Sequence, residues 1–152
     1  MSFHVILHQP EIPQNTGSIG RLCVSTNTKL HLIHPLGFST SDYYLRRAGL
    51  DYWEHLNPTN YPNWDAFLAK MALTRMWFFT TKGDKYHTDI EWQDGDGLVF
   101  GKETSGLPVS ILEAYSDNLI KIPMPGDFHR SLNLAQAASV GLYEALRQTS
   151  KW

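Results

Sequence analysis

The chain has 152 residues, of which 42% are hydrophobic and 18% charged, a composition that predicts one globular domain spanning 1–152. It contains no apolar run long enough for a membrane span and no signal-peptide pattern, so we expect a cytoplasmic protein without a membrane partner. The formal net charge of -2 excludes a strongly basic protein, so a polyanionic partner would have to be bound by local patches.

The first half of the chain predicts a strand, a helix and a second strand parallel to the first, followed by two shorter helices. The predicted elements are strands over 3–8 and 30–34, a helix between them that is capped by Asn15 or Thr16, and helices over 41–48 and 63–71. A strand, helix and strand in this order indicate a parallel pair joined by a crossover helix.

The second half continues the alternation with strands over 75–81, 97–101 and 119–122 and helices over 108–115 and 134–146. We interpret the acidic stretch 84–96 as a solvated connection. The alternation predicts an α/β fold, a mostly parallel sheet flanked by helices. Ligands of such sheets bind outside the carboxyl ends of the strands, and three predicted loops at that edge, 80–83, 101–106 and 123–126, carry a glycine.

Several familiar chemistries are disfavoured by residue spacing. The segment 97–103 has three residues between its glycines where a P-loop has four, and a glutamate follows its lysine. Residues 17–20 lack the third glycine of a dinucleotide fingerprint. The seven histidines form no helical i, i+4 pair, so no metal site is predicted. Cys23 lies on an apolar helical face, where we expect a buried thiol.

The segment 43–53 holds four aromatic residues beside Arg46 and Arg47. Aromatic rings can stack on unpaired bases while arginines neutralise phosphates, as in proteins that bind single-stranded RNA. Core aromatics with solvated arginines explain the same composition equally well.

Several short segments spread over nearly the whole chain form one pattern. They are PEIPQNTG (10–17), RLC (21–23), LRRAGLDY (45–52), TTKG (80–83), FGKETSGLP (100–108), IPM (122–124) and SLNL (131–134). In this order they resemble the SpoU branch of the knotted SPOUT class of S-adenosylmethionine-dependent RNA methyltransferases. The segment 45–52 is most similar to bacterial tRNA 2′-O-methyltransferases that modify the ribose of the wobble cytidine or uridine.

The resemblance implies a SPOUT-type fold with a deep C-terminal trefoil knot, and a homodimer that completes each site. It also implies S-adenosyl-L-methionine as cofactor, S-adenosyl-L-homocysteine as product, tRNA as substrate and no metal. Periodicity alone would not predict a knot, because loops are rarely threaded. The last predicted helix is rich in alanine and glycine, which allows close packing against the core or a partner.

The resemblance assigns activation of the ribose hydroxyl to Arg21. A guanidinium normally stays protonated, so Arg21 is either a strongly perturbed base or a group that binds the adjacent phosphate, with Ser131 assisting. Asn15 and Glu103 are expected to position Arg21 and the active loops, and Asn133 to fix its loop beside the cofactor.

Two sets of binding residues follow from the same resemblance. Cofactor contacts are expected from Phe79, Thr80, Gly101, Ile122, Met124, Ser131 and Asn133. RNA phosphate contacts are expected from Arg46, Arg47, Lys82, Lys85 and Arg130. We expect Gly101→Val to abolish cofactor binding and to leave the fold largely intact.

Two departures from the family pattern concern substrate recognition more than reaction type. Gly20 stands before Arg21 where a bulkier residue is expected, and the loop 125–130 is one residue longer and carries Phe128. One alternative keeps the chemistry but moves it to another position in tRNA or to ribosomal RNA. Another is a non-catalytic RNA- or cofactor-binding assembly factor, which would not need the polar set Asn15, Arg21, Glu103, Ser131 and Asn133 together.

Overall fold

The structure, a computed structural model, describes residues 2–43, 45, 47, 53–71, 74–128, 131–150 and 152. The strands are β1 (His4–His8), β2 (Lys29–Ile33), β3 (Thr59–Tyr61), β4 (Met76–Phe79), β5 (Lys85–Tyr86), β6 (Gly97–Phe100) and β7 (Leu119–Lys121). The helices are α1 (Pro13–Ser25), α2 (Trp53–Leu56), α3 (Trp64–Met71), α4 (Val109–Ala114) and α5 (Leu134–Thr149), with a 3-10 turn at Ser116–Asn118. The helix predicted over 41–48 lies partly outside the described residues.

All seven strands join one sheet in the order β3-β2-β1-β6-β4-β7-β5, and each pairing between them is parallel. The predicted α/β architecture is therefore confirmed. β1 lies between β2 and β6, so the chain builds outward from β1 in both directions. Ligands of such sheets bind at the carboxyl ends of the strands beside the point where the order reverses. The loops after β1 and β6 meet at that point.

Both faces of the sheet are buried, because side chains along a strand alternate between its two faces. On one face, Leu7 packs in a core with Ile19 of α1 and Leu142 of α5. On the other face, Ile6 packs with Phe67 of α3. All five are fully buried, and each such side chain contributes about 1.5–3 kcal/mol.

The small residues of α5 pack against this chain's own sheet. A Cβ atom on Gly141 would lie 2.5 Å from the Phe79 ring, so only glycine allows α5 to approach β4 this closely. Ala138 and Ala145 are also fully buried in the same core. The interpretation of this helix as a core element is therefore confirmed, and α5 runs three residues further than predicted, to Thr149.

The stretch 84–96 is not a solvated connection, so that prediction is wrong. It forms β5, which pairs with β7, and it buries the side chains of Ile90 and Trp92 in the core. Asp96 is 2% exposed and binds the Arg75 guanidinium at 2.7 Å. The apolar residues of the stretch 84–96 are too few, and too widely spaced among acidic residues, to produce a periodic hydrophobic pattern.

Helix α1 begins at Pro13, before both predicted cap residues, and Asn15 and Thr16 are buried inside its first turns. Neither caps the helix. Proline suits the first helical position because its fixed φ angle is already helical. The helix continues unbroken through Gly20. In the described part of the chain, none of the helices is long and apolar enough to cross a bilayer.

Two shorter elements were not predicted. Strand β3 spans three residues between Pro58 and Pro62 and pairs with β2, and α2 is a single turn. Cys23 is fully buried as expected, and burial raises the pKa of its thiol to about 12.

A buried hydrogen-bonded chain crosses the first three strands. His31 is hydrogen-bonded to His4 and to the Tyr61 hydroxyl, each at 2.9 Å. Burial, with added repulsion from the neighbouring His4 and Lys29, lowers the pKa of His31 to about 4. Burial lowers the pKa of His4 as well. Both imidazoles are therefore neutral at pH 7.

The lowered pKa of His31 predicts that the protein loses stability in mild acid. The unfolded state binds a proton on His31 near pH 6.5 and the folded state only near pH 4, so acid favours unfolding across that window. We expect the free energy of unfolding to fall by about 2–3 kcal/mol between these pH values. Urea denaturation at several pH values tests this. His31→Phe should flatten the pH dependence, whereas exposed His55→Gln should leave it as in the wild type; an unchanged slope in His31→Phe would contradict the assignment.

Candidate active site

A cavity of about 500 Å³ opens at the carboxyl edge of the sheet, where the loops after β4, β6 and β7 meet the start of α5. Its volume is typical of sites for small ligands and cofactors. It is lined by every residue predicted to contact the cofactor, namely Phe79, Thr80, Gly101, Ile122, Met124, Ser131 and Asn133. Asn15 and Glu103 line it too. The fold thus gathers residues from distant segments around one space.

The cavity walls combine apolar and positively charged groups. The Phe79 ring stacks on Phe100 with 4.5 Å between centroids. The charged lining residues are Glu103, Lys82, Lys102 and Lys121. Such a lining suits a ligand that has both a flat apolar part and an anionic group.

The Glu103 carboxylate holds the start of α1. It accepts hydrogen bonds from the backbone amides of Glu11 and Ile12, both at 2.8 Å, and from the Asn15 side chain at 3.2 Å. The amides at a helix N-terminus lack partners within the helix, and a carboxylate there is favoured by the helix dipole. Glu103 therefore does, from another loop, what Asn15 or Thr16 was expected to do as a cap.

A second amide side chain extends the network to α5. The Asn133 side chain donates to the Asn15 carbonyl oxygen at 3.0 Å. Its own oxygen caps α5 by accepting from the amides of Ala135 at 2.9 Å and Gln136 at 3.2 Å. Glu103, Asn15 and Asn133 thus form one chain of hydrogen bonds that ties the β6 loop, α1 and α5 together.

Glu11 was not predicted as a site residue, yet its carboxylate binds the loop that carries Glu103. Its carboxylate accepts from the backbone amide of Thr104 at 3.1 Å and from the Thr104 hydroxyl at 2.7 Å. The hydrogen bond from the Thr104 side chain lowers the pKa of Glu11. Each loop therefore carries a carboxylate that binds amides of the other loop. This reciprocal contact could not be predicted from the sequence, because it depends on β1 and β6 being neighbours in the sheet.

The backbone at Gly101 packs closely against the backbone of residues 106 and 107 in its own chain. A Cβ atom there would lie 2.1 Å from the Gly106 carbonyl carbon and 2.2 Å from the Leu107 nitrogen. Backbone atoms cannot yield as a flexible side chain can. The expectation that Gly101→Val leaves the fold largely intact is therefore wrong, because the loop that carries Glu103 would have to move.

Among the predicted catalytic residues, Arg21 is the one that does not line this cavity. It lies exposed on α1, beyond Asn15, and its carbonyl accepts a hydrogen bond from the Ser25 hydroxyl. Ser131 is exposed at the cavity lining, at the end of the loop that carries Phe128, which is 90% exposed.

Comparison with known sequences identifies the family of this chain. The profile of the SpoU rRNA Methylase family matches residues 2–143. The chain belongs to the SpoU methylase family. A tRNA (cytidine(34)-2'-O)-methyltransferase of Saccharophagus degradans is 52% identical over 147 residues, which cover 96% of this chain and 95% of that protein.

Solved structures of SpoU relatives agree with the fold. One, described as giving structural insights into the 2-OH methylation of C/U34 on tRNA, is 42% identical with a TM-score of 0.94 and covers 99% of this chain and 98% of its own. The SpoU methyltransferase AviRb of Streptomyces viridochromogenes, in complex with AdoMet, is 26% identical with a TM-score of 0.85. It covers 98% of this chain and 58% of its own.

The predicted RNA contacts of this SpoU protein lie in two regions. Lys82 lines the cavity, and Lys85 is exposed on β5 nearby. The Arg47 guanidinium donates to the Tyr43 hydroxyl at 2.9 Å, and both side chains are exposed. Arg46 and Arg130 fall outside the described residues. Within the described residues, no group of three or more acidic, histidine or cysteine side chains could hold a metal ion.

Replacing Glu103 tests the network without changing side-chain size. Glu103→Gln keeps one acceptor oxygen for three donors and places an amide NH2 where the second oxygen was. At least one donor then loses its partner, so we expect a loss of about 1–3 kcal/mol of stability. S-adenosylmethionine should bind about tenfold more weakly, because both loops at the cavity shift. Urea denaturation and titration calorimetry measure the two effects. Glu113→Gln, an exposed change on α4, is the matched control, and equal behaviour of the two variants would argue against the network.

Proposed function

We propose that this SpoU protein transfers a methyl group from S-adenosylmethionine to the ribose 2′-hydroxyl of the wobble nucleotide, cytidine or modified uridine 34, of tRNA. The main support is the cavity, where all seven expected cofactor contacts meet Asn15 and Glu103. The 52% identical relative named for this reaction supports the choice of substrate. Acting on tRNA would place the protein in the cytoplasm.

The cavity fits the cofactor on chemical grounds. Its volume of about 500 Å³ accommodates a molecule of this size, and the stacked Phe79 and Phe100 rings give an apolar wall. Ile122 and Met124 would complete that wall, while Lys82 and Lys121 offer positive charge to a carboxylate. When bound, the cofactor supplies an electrophilic methyl group on a sulfonium centre.

The residues of the chain would mainly supply alignment. The hydrogen bonds from Glu103 through Asn15 to Asn133 hold three elements of the cavity in fixed positions. Holding two reactants in line lowers a barrier by several kcal/mol without any acid or base. Arg21 would bind the phosphate beside the target ribose and orient the hydroxyl. Ser131, at the cavity lining, would accept a hydrogen bond from the ribose hydroxyl and relay its proton to water.

A homodimer would explain the position of Arg21, which lies outside the cavity of its own chain. Side chains on the outer face of α5 suit a second subunit: Val140 is 42% exposed, and Tyr143 is 48% exposed and stacks on Trp152. In this proposal the deep trefoil knot forms the cofactor cavity, and the partner subunit supplies Arg21.

The decisive test is to map the product. Purified protein is incubated with S-adenosylmethionine and unmodified total tRNA, and the methylated nucleosides are located by mass spectrometry. We expect a 2′-O-methyl group at position 34. Ribose methylation at another tRNA or ribosomal RNA position would keep the chemistry and change the target. Methylation of a base, or none, would overturn the proposal.

A further inference from the structure

We propose that Tyr86 and Lys121 form a stacking platform for an unpaired nucleobase of the RNA substrate, beside the cavity. The inference rests on the proposed function and adds to it a base-binding site. It concerns the nucleotides that flank the methylated one.

The sheet register places the two side chains together. Tyr86 of β5 pairs with Lys121 of β7, and paired residues of parallel strands project from the same face. The Lys121 ammonium lies 5.2 Å from the centroid of the Tyr86 ring, within the range of a cation–π contact. Tyr86 remains 42% exposed. The pair therefore offers solvent a flat ring and a positive charge together.

The backbone beneath the ring is firmly held. The Tyr86 amide donates to the Asp89 carboxylate at 3.1 Å, and the next amide, of His87, donates to the Lys121 carbonyl at 2.8 Å. The turn before β5 is packed so closely that a Cβ atom on Gly83 would lie 2.7 Å from the Ile120 backbone. A preformed surface loses little conformational freedom when a ligand binds.

The platform is continuous with the proposed catalytic cavity. Lys121 both contacts the ring and lines the cavity, and Lys82 lines it from the turn before β5. Lys85 is exposed on the same strand. The nearby Asp84 and Asp89 are acidic, but Asp89 already accepts the Tyr86 amide. Three lysines against two carboxylates leave a surface that tolerates a phosphate, and a base stacked on Tyr86 would belong to a nucleotide close to the target ribose.

The chain contains a matched pair that lacks the exposed ring. The Lys70 ammonium lies 6.0 Å from the Tyr61 ring centroid, yet Tyr61 is only 4% exposed and cannot stack on a base. Lys70 is exposed on α3 and does not line the cavity. Lys70→Ala therefore removes one charge and one cation–π contact without touching the platform.

The experiment measures binding of an anticodon stem-loop RNA by fluorescence anisotropy. We expect Tyr86→Ala to weaken binding about tenfold, because stacking of one base on an aromatic side chain is lost. Tyr86→Phe and Lys70→Ala should bind as the wild type does, and S-adenosylmethionine affinity should be equal in all variants. The measurement is repeated with RNAs that carry a single abasic site at each loop position in turn. At one position the penalty of Tyr86→Ala should disappear.

The outcomes separate this inference from the proposed function. Unchanged RNA binding by Tyr86→Ala, or a penalty that persists with every abasic RNA, overturns the platform. If the wild type still methylates position 34 in that case, the proposed function stands. A wild-type protein that neither binds nor methylates the stem-loop overturns both.

Discussion

Arg21→Ala is expected to lower the rate of methyl transfer by about a thousandfold, because an anchored phosphate and an oriented hydroxyl are lost together. Affinity for S-adenosylmethionine should not change, since Arg21 does not line the cofactor cavity. Single-turnover kinetics with labelled cofactor measure the rate, and titration calorimetry measures the affinity. Methyl transfer at the wild-type rate would remove Arg21 from the mechanism.

Arg21→Lys is the informative companion variant. Lysine keeps the charge and loses the planar fork that binds a phosphate through two hydrogen bonds. A rate between those of Arg21→Ala and the wild type would indicate phosphate binding and orientation.

Mixing two inactive variants shows which subunit supplies Arg21. Ile122→Trp fills the cavity and should block the cofactor, while Arg21→Ala leaves the cavity intact. If Arg21 acts in the partner's cavity, a mixed dimer has one complete site, and an equal mixture recovers about a quarter of the wild-type activity. Arg21 acting within its own chain, or a monomer in sedimentation, would give no recovery.

Sequence reasoning found the edge of the sheet where the site lies, because glycine-bearing loops follow predicted strands there. It could not derive the contacts between those loops. Asn15 and Glu103 are 88 positions apart, and Asn15 and Asn133 are 118 apart. Their hydrogen bonds depend on strand order, which no local pattern encodes. Only the family resemblance brought these residues together in advance, and the structure places them in one network.

The prediction for the stretch 84–96 was wrong for a related reason, because the structure of this stretch also depends on which strands are neighbours. A two-residue strand such as β5 has no periodicity of its own and exists because β7, more than thirty residues later, pairs with it. Trp92 is 3% exposed although acidic residues surround it in sequence. Its indole nitrogen donates to the His87 carbonyl at 2.9 Å, a partner that composition does not reveal. Because residues 84–96 were interpreted as a solvated connection, Tyr86 was not recognised as a candidate RNA contact.

Gly101→Ala should cause a large loss of both stability and cofactor binding. The new methyl group would collide with the backbone at Gly106 and Leu107, so the loop must move and take the Glu103 carboxylate away from the start of α1. We expect the free energy of unfolding to fall by about 3 kcal/mol, the upper range for forcing extra atoms into a closely packed site. Affinity for S-adenosylmethionine should drop at least about a hundredfold, since Gly101 and Glu103 both line the cavity.

Gly126→Ala is the matched control, because a Cβ atom there meets nothing within 4 Å. Its stability should stay within about 0.5 kcal/mol of the wild type. Urea denaturation and calorimetry on both variants separate two explanations of the glycine at 101. If Gly101→Ala loses cofactor affinity at full stability, the glycine serves the cofactor's approach, as the sequence first suggested. If stability and affinity fall together, the glycine serves the contact between two loops, and the cavity exists only because that contact is made.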